Sequence, residues 1–455
     1  MSLVNTLHHT NYSVNGISSY STKQGNLNII FEITGASNEL IDVKSIRLNS
    51  VLEYLKQDGT KLNNLGFLDF KTAGTGNRVN GNGLQVNTNN RIGCAGCVST
   101  IILEDGNNNV LESVYGYGHL LNKVIQLTMS QDDLGTWAGA IFGIKAFGKA
   151  VQNLTAMNNE YELSQKLYTG VLQSKPIPFS LIGNKLKITI TLSPSAQILG
   201  GVGLTDTQHL MKADNATPAI NTFVSLTDIN LSYRSIIMNQ DQAPSKNGYL
   251  FRHFSNVNQN VNSQNQSIQQ HPTANNVISI MSSFIPSDHL NNYLYDSYQS
   301  TKLQNTQIDP ALARFPDVVE IKESTTMKNS ARFPSTFPID ERLVVNQGNL
   351  DVQRVYNYIQ GIDQFSSIDN CLISSSTENY GAFYEPHAVD FDVSVYGVGV
   401  RFDALQTSMG QNFSQANYIL RLNSGLNGTR NNEMITSVFS TRRLVMGAGA
   451  PVVIA

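Results

Sequence analysis

Charge is what this chain has least of. Asp, Glu, Lys and Arg make up 14% of its 455 residues, against roughly a quarter in an ordinary soluble domain. Asn, Gln, Ser and Thr fill the deficit, together with 34 glycines. A polar but weakly charged surface costs less to desolvate than a Lys/Glu-rich one, and charge depletion marks the centres of protein contact surfaces. The composition therefore favours a protein that lies packed against neighbours. The charges present nearly cancel, leaving -3, and no block of Lys or Arg occurs. That argues against an electrostatic grip on nucleic-acid phosphates. No run of about 18 apolar residues exists to cross a membrane as a helix. The opening MSLVNTLHHTNYSVNG has neither the basic nor the apolar region of a secretory signal.

Cysteine is nearly absent too. Cys94, Cys97 and Cys371 are three in number, too few and too odd for a disulfide framework, which points to a reducing compartment. The Cys94-x-x-Cys97 spacing raises zinc or redox chemistry. A structural zinc needs four ligands and this pair supplies two, while Cys371 has no Cys or His nearby. A thioredoxin-like motif needs a strand before it and a helix after it, whereas strands are expected here on both sides. The expectation is two small buried residues leading into a strand.

Other chemistry-bearing patterns are missing as well. His8, His9, His119, His209, His253, His271, His289 and His387 form no His-x-x-x-His or His-Glu-x-x-His pair, and read as surface or locally bonded histidines. No Gly-x-Ser-x-Gly elbow and no Walker loop occurs. The glycines of GTGNRVNGNG and GGVG lack the strand and helix that a phosphate cradle needs. The carboxylate pairs Glu104-Asp105 and Asp132-Asp133 lie beside turns. A glycosidase could draw its acid and base from distant strands, but nothing local supports one. Trp137 is the only tryptophan. The 18 Tyr and 19 Phe fall mostly in alternating strands, where core packing accounts for them. No catalytic residue, cofactor-binding residue or metal ligand is expected, and the chain does not read as an enzyme.

What the chain has is alternation with period two. Leu186, Ile188, Ile190 and Leu192 alternate with Lys185, Lys187, Thr189 and Thr191, so that one face of a strand is apolar and the other polar. The same pattern marks Leu27, Ile29, Phe31 and Ile33; Ile229, Leu231 and Tyr233; Val389, Phe391, Val393 and Val395; and Tyr418, Leu420 and Leu422. Each predicts a half-buried antiparallel strand. Turn signals at Asp58-Gly59, Gly106-Asn107 and Asn427-Gly428 separate them. Long Asn-rich intervals at 72–90 and 256–276 suit a sandwich whose loops build an outer surface. Helical periodicity is scarce. Val352, Val355, Tyr356, Ile359 and Ile362 make one stripe of about three turns, and 134–167 offers one or two short helices weakened by glycine.

The two halves share an order of elements: an alternating strand, a long polar loop, a proline-marked lead-in and a closing strand. They meet at NQDQAPSKN. The reading is a polar arm at 1–24, a first sandwich at 25–240, a linker at 241–248 and a second sandwich at 249–455, each sandwich about 220 residues.

This order resembles that of the double jelly-roll major capsid proteins of double-stranded DNA viruses, in the virophage, polinton-like and adintovirus-like group. RIGCAGCVSTIILEDGNNNVLESVYGYGHLL is similar to that family's early hairpin and the helix after it. KPIPFSLIGNKLKITITLSPSAQIL resembles its proline-marked lead-in to a strictly alternating strand, and TFVSLTDINLSYRSIIM the strand closing the first roll. In the second half ARFPSTFPIDERLV with VQRVYNYIQGI, then VDFDVSVYGVGVRFDAL, NYILRLNSGL and MITSVFSTRRLVM, resemble the later segments. The likeness runs from about Asn26 to Val453. It implies an all-β fold of two consecutive eight-stranded jelly-roll sandwiches with a few short helices in loops. It also implies a homotrimeric, pseudo-hexameric capsomer tiling an icosahedral virion shell around a double-stranded DNA genome. The expected partners are further copies of itself, a single jelly-roll penton protein and minor or cement capsid proteins, with no sequence-specific nucleic-acid binding. An all-β carbohydrate-binding or adhesin protein on a virion or cell surface stands as the alternative.

Overall fold

A computed structural model gives the architecture. It describes residues 6–22, 27–55, 92–128, 160–194, 223–238, 249–261, 265–270 and 276–287. Shorter pieces lie at 59–60, 67–68, 84–88, 197, 199–202, 272, 274, 290, 298, 302–303, 314–315, 318–327, 341–344, 397–401, 412–413, 416–424, 432–446 and 451–454.

The first half carries β1 (Thr6–Tyr12), β2 (Tyr20–Ser21), β3 (Asn28–Thr34), β4 (Glu39–Leu55), β5 (Phe67–Leu68), β6 (Leu84–Thr88), β7 (Val98–Asp105), β8 (Val110–Tyr115), α1 (Tyr117–Thr128), β9 (Glu160–Lys166), β10 (Ile177–Pro178), β11 (Lys185–Leu192), β12 (Leu199–Val202) and β13 (Phe223–Ile237). The second carries β14 (Tyr249–Val261), β15 (Asn265–Gln270), β16 (Val277–Pro286), β17 (Lys302–Leu303), β18 (Arg314–Phe315), β19 (Val318–Met327), β20 (Glu341–Val344), β21 (Gly397–Arg401), β22 (Ala416–Ser424), β23 (Asn432–Met446) and β24 (Pro451–Ile454).

Alternation builds the first sandwich as expected. Ile29, Phe31 and Ile33 of β3, Leu186, Ile188, Ile190 and Leu192 of β11, and Ile229 and Leu231 of β13 are all buried. One sheet runs β1-β13-β4-β10, with β2 on β13 and β9 on β4. Its apolar face meets β8-β7-β11-β3 in one shared hydrophobic cluster. On the outward face, Lys187 bonds Glu104 at 2.8 Å and Lys185 bonds Glu32 at 3.2 Å across neighbouring strands. The early hairpin closes on Asp105, whose Oδ1 accepts the N–H groups of Asn107 and Asn109, each at 2.8 Å.

The N-terminal segment folds back on this sandwich. β1 pairs with β13 from Thr6↔Ile236 to Tyr12↔Asn230. The chain then crosses to the edge of β3, where the Val14 N–H donates to the Ile30 carbonyl at 2.8 Å, and the side chain of Asn15 bonds both Asn28 and Ile30.

The intervals at 72–90 and 256–276, expected as loops, carry β6, the end of β14 and β15, because neighbouring strands supply their polar residues with backbone partners. Two further features differ from the sequence reading. Part of the segment expected to be helical, 160–166, is strand β9, paired with β4 from Arg47↔Lys166 to Glu53↔Glu160. Leu163 and Gln165 point inward there while Glu162 and Ser164 are exposed, a two-residue period that outcompetes helix once β4 supplies a partner. The remainder, 134–159, lies outside the described residues, as do the expected helix at 352–362 and the alternation at 389–395. The second difference is that the halves do not form separate sheets. A single sheet runs β21-β16-β23-β14-β8-β7-β11-β3, with β24 on β23. It passes from one half to the other where β14 and β8 meet in parallel at Ser255↔Ser113.

The second half adds a sheet β15-β22-β19-β20. Gln270 on β15 reaches across to Thr436 on β23 at 3.0 Å, so this sheet faces the β16-β23-β14 part of the long one.

Candidate functional site: the seam between the two sandwiches

The sheet portion β16-β23-β14 is covered on both sides. Thr436 and Ser282, 2.8 Å apart, face β15. Alternation turns Phe439 and Met281 the other way, into the hydrophobic cluster of the first half. Phe254 and Phe439 meet edge to face there, with centroids 5.1 Å apart. The seam is therefore a continuous core. It is also unusually polar.

Glu112 on β8 is fully buried. Its partner on β7 is Leu103, so it sits on the inward phase. Its Oε1 accepts the Gly170 N–H at 2.8 Å and the Phe254 N–H at 2.6 Å, and its Oε2 accepts the Val171 N–H at 2.9 Å. Two of these donors belong to a loop of the first half and one to β14 of the second. Burial pushes the Glu112 carboxyl up to about 7, against the opposing pull of those N–H groups and the Thr169 hydroxyl. Arg442 of β23 is the cation in its field.

Around this carboxyl the backbones come very close. A Cβ on Gly170 would lie 2.6 Å from the Arg252 carbonyl group, so only glycine fits. Arg252 N–H donates to Ser174 Oγ at 3.1 Å, the Tyr249 hydroxyl donates to the Lys175 carbonyl, and Asn256 Nδ2 donates to the Tyr115 carbonyl at 2.5 Å.

α1 fills the other side of the seam. Its first seven residues, Tyr117 to Lys123, are all buried, the mark of a helix enclosed on every side. Gly118 packs on Tyr298, and the His119 ring lies 4.9 Å from the Tyr298 ring. Asn122 Nδ2 donates to the Tyr298 carbonyl at 3.1 Å, and Lys123 Nζ to the Ile435 carbonyl at 3.3 Å. Burial pushes the Lys123 amine down to about 7, and burial followed by the Lys123 charge pushes His119 down to about 3. His253, beside Arg442, is likewise pushed to about 3, chiefly by burial.

The residues singled out in the sequence fare unequally. Cys97 is a free, buried thiol held up at about 12 by burial. It ends the 3-10 turn Gly93–Cys97 that leads into β7. His8 is exposed on β1, and His9 bonds Ser235 at 2.8 Å and stacks on Tyr233. The surface or locally bonded reading fails for His119, which is buried with no partner at Nδ1. Its place in the buried stretch Tyr117 to Lys123 of α1 is the cause. His209, His271, His289, His387, Trp137, Asp132, Asp133 and Cys371 lie outside the described residues. Among the described residues no group of three or more His, Cys, Asp or Glu converges to hold a metal. Glu112 and Lys123, which sequence reasoning passed over, dominate the seam. The signal for Glu112 was present: it shares the inward phase of Val114 in VLESVY.

No protein-family model matches the sequence, and no curated protein matches it. Solved structures do. The major capsid protein of Faustovirus matches at TM-score 0.56 and 10% identity, over 98% of this chain and 91% of that one. A chain of the Sputnik virophage structure matches at 0.57 and 9%, over 99% and 88%. PBCV-1 VP54, fitted into a reconstruction of the virophage Sputnik, matches at 0.54 and 12%, over 100% and 97%. Such identities speak for the fold, and they span both sandwiches together. The chain is a double jelly roll, the fold it shares with the major capsid protein of Faustovirus.

Proposed function

We propose that this chain is the major capsid protein of a double-stranded DNA virus. The observation that carries the reading is the tandem itself: two sandwiches joined by one long sheet and a buried seam, matching the Faustovirus capsid protein over 98% of this chain. A capsomer needs a rigid double unit of this kind. Three copies then supply six upright sandwiches with a pseudo-hexagonal outline, and such trimers tile an icosahedral shell. The weakly charged surface suits close packing of sandwich flanks. Tyr12, Val14, Tyr115 and Leu250, exposed large apolar side chains on the single chain, suit contacts between copies. Its role is structural, not enzymatic. Its partners are further copies, a single jelly-roll protein at the vertices and minor or cement proteins, and its place is the virion.

Light scattering on the purified chain tests this. A trimer of the 50.0 kDa chain weighs about 150 kDa, and that mass is expected at micromolar concentration. A stable monomer that binds glycans on an array would overturn the capsid reading in favour of the adhesin one.

A further inference from the structure

The polar groups of the seam are not equivalent. Lys123 and Asn122 each reach one carbonyl of the second roll. Among the described residues, Glu112 is the one that gathers donors from both rolls onto one carboxyl, and both of its oxygens are used. The register places that carboxyl. β14 and β8 pair in parallel at Ser255↔Ser113, one residue after Phe254 on β14 and one residue after Glu112 on β8. The Phe254 N–H crosses the seam to Glu112 at 2.6 Å. The same Oε1 receives the Gly170 N–H, from the loop whose glycine lets Arg252 and His253 of β14 approach. A backbone ladder would fix the two strands alone. The carboxyl fixes β8, the 169–174 loop and β14 together.

We propose that Glu112 is a positioning residue that sets how the two jelly rolls sit relative to each other, by binding a loop of the first roll and a strand of the second to one carboxyl oxygen. The inference stands on the geometry of the seam and is independent of the capsid reading. It names one side chain for a property, the fixed angle of the tandem, that would otherwise be credited to the whole interface.

The test is amide hydrogen exchange on the full-length chain, compared with Glu112→Ala and Glu112→Gln. In the Ala variant the Gly170, Val171 and Phe254 amides are expected to exchange at least tenfold faster together, while the amides of β11, two strands from β8 on the side away from β14, keep their rates. Glu112→Gln retains a single acceptor oxygen, and so keeps the proposal testable where Ala prevents folding. There the Gly170 and Phe254 amides are expected to move as a pair, both protected or both released, with Val171 doing the opposite. Two results would overturn the proposal. One is faster exchange at Gly170 and Val171 with Phe254 unchanged, which would confine Glu112 to its own roll. The other is equal acceleration throughout β11, which would make it an ordinary contributor to stability.

Discussion

Glu112 shows how backbone N–H groups accommodate a buried acid. A carboxylate in an apolar interior carries a desolvation cost of several kcal/mol, and here three N–H groups and the Thr169 hydroxyl offset part of it. The balance still favours the protonated acid, raised from 4.5 to about 7. The folded protein thus holds that proton more tightly than the unfolded chain. The stability this contributes is full below about 4.5 and is lost as pH rises through about 7. Lys123, His119 and His253 act in the opposite sense. Their values are lowered, so their contribution is present at high pH and is lost as pH falls, through about 7 for Lys123 and toward about 3 for the two histidines. Comparing the wild type with Glu112→Gln cancels those three and isolates the acid. Urea unfolding should find the wild type's advantage over the Gln variant shrinking by on the order of 3 kcal/mol between pH 4.5 and 7, then levelling off. A constant difference across that range would mean that Glu112 titrates alike in the folded and unfolded chains.

At the scale of elements, strands with one wet face were legible and elements with two covered faces were not. β3, β11 and β13 announce themselves because their polar phase is exposed or half-exposed, so the alternation in sequence is the alternation in burial. β16 is different. Residues 279–283, Ser-Ile-Met-Ser-Ser, are buried one after another. Its serines face the second roll's interior on one side and the seam on the other, so no two-residue period survives. The enclosed first turns of α1 mix Leu120 and Leu121 with His119, Asn122 and Lys123 because the surroundings offer carbonyls as well as apolar side chains. The resemblance anticipated a helix there, and composition alone did not. Of the Cys94-x-x-Cys97 pair, Cys97 is buried at the end of the turn that leads into β7, and the Cys94 side chain lies outside the described residues. The seam's tightest point is the 169–174 loop against β14. Gly170→Ala would set a Cβ 2.6 Å from the Arg252 carbonyl group and 2.7 Å from the His253 nitrogen, and backbone on both sides leaves it nowhere to go. Denaturant titration should register a loss of about 1–3 kcal/mol. An unchanged midpoint would show that the loop and β14 separate without cost.

At the scale of the molecule, the order of segments carried more information than any residue. Turn, strand, Gly/Asn turn, strand and helix recur in the structure as the Gly93–Cys97 turn, β7, β8 and α1, although identity to the matching capsid proteins is about a tenth. Jelly rolls tolerate such divergence because the strand period constrains only the polarity of a position. What the sequence could not display was the joining of two sandwiches by one sheet, since a single parallel contact between strands far apart in the chain leaves no local pattern. That junction joins the two sandwiches through one sheet, and the central claim proposed above is that three such chains assemble into a capsomer of a shell. Negative-stain electron microscopy of the purified full-length protein tests it most directly. The account predicts particles with a pseudo-hexagonal outline and threefold symmetry, six lobes apiece. A field of isolated two-lobed molecules at the same concentration would contradict it.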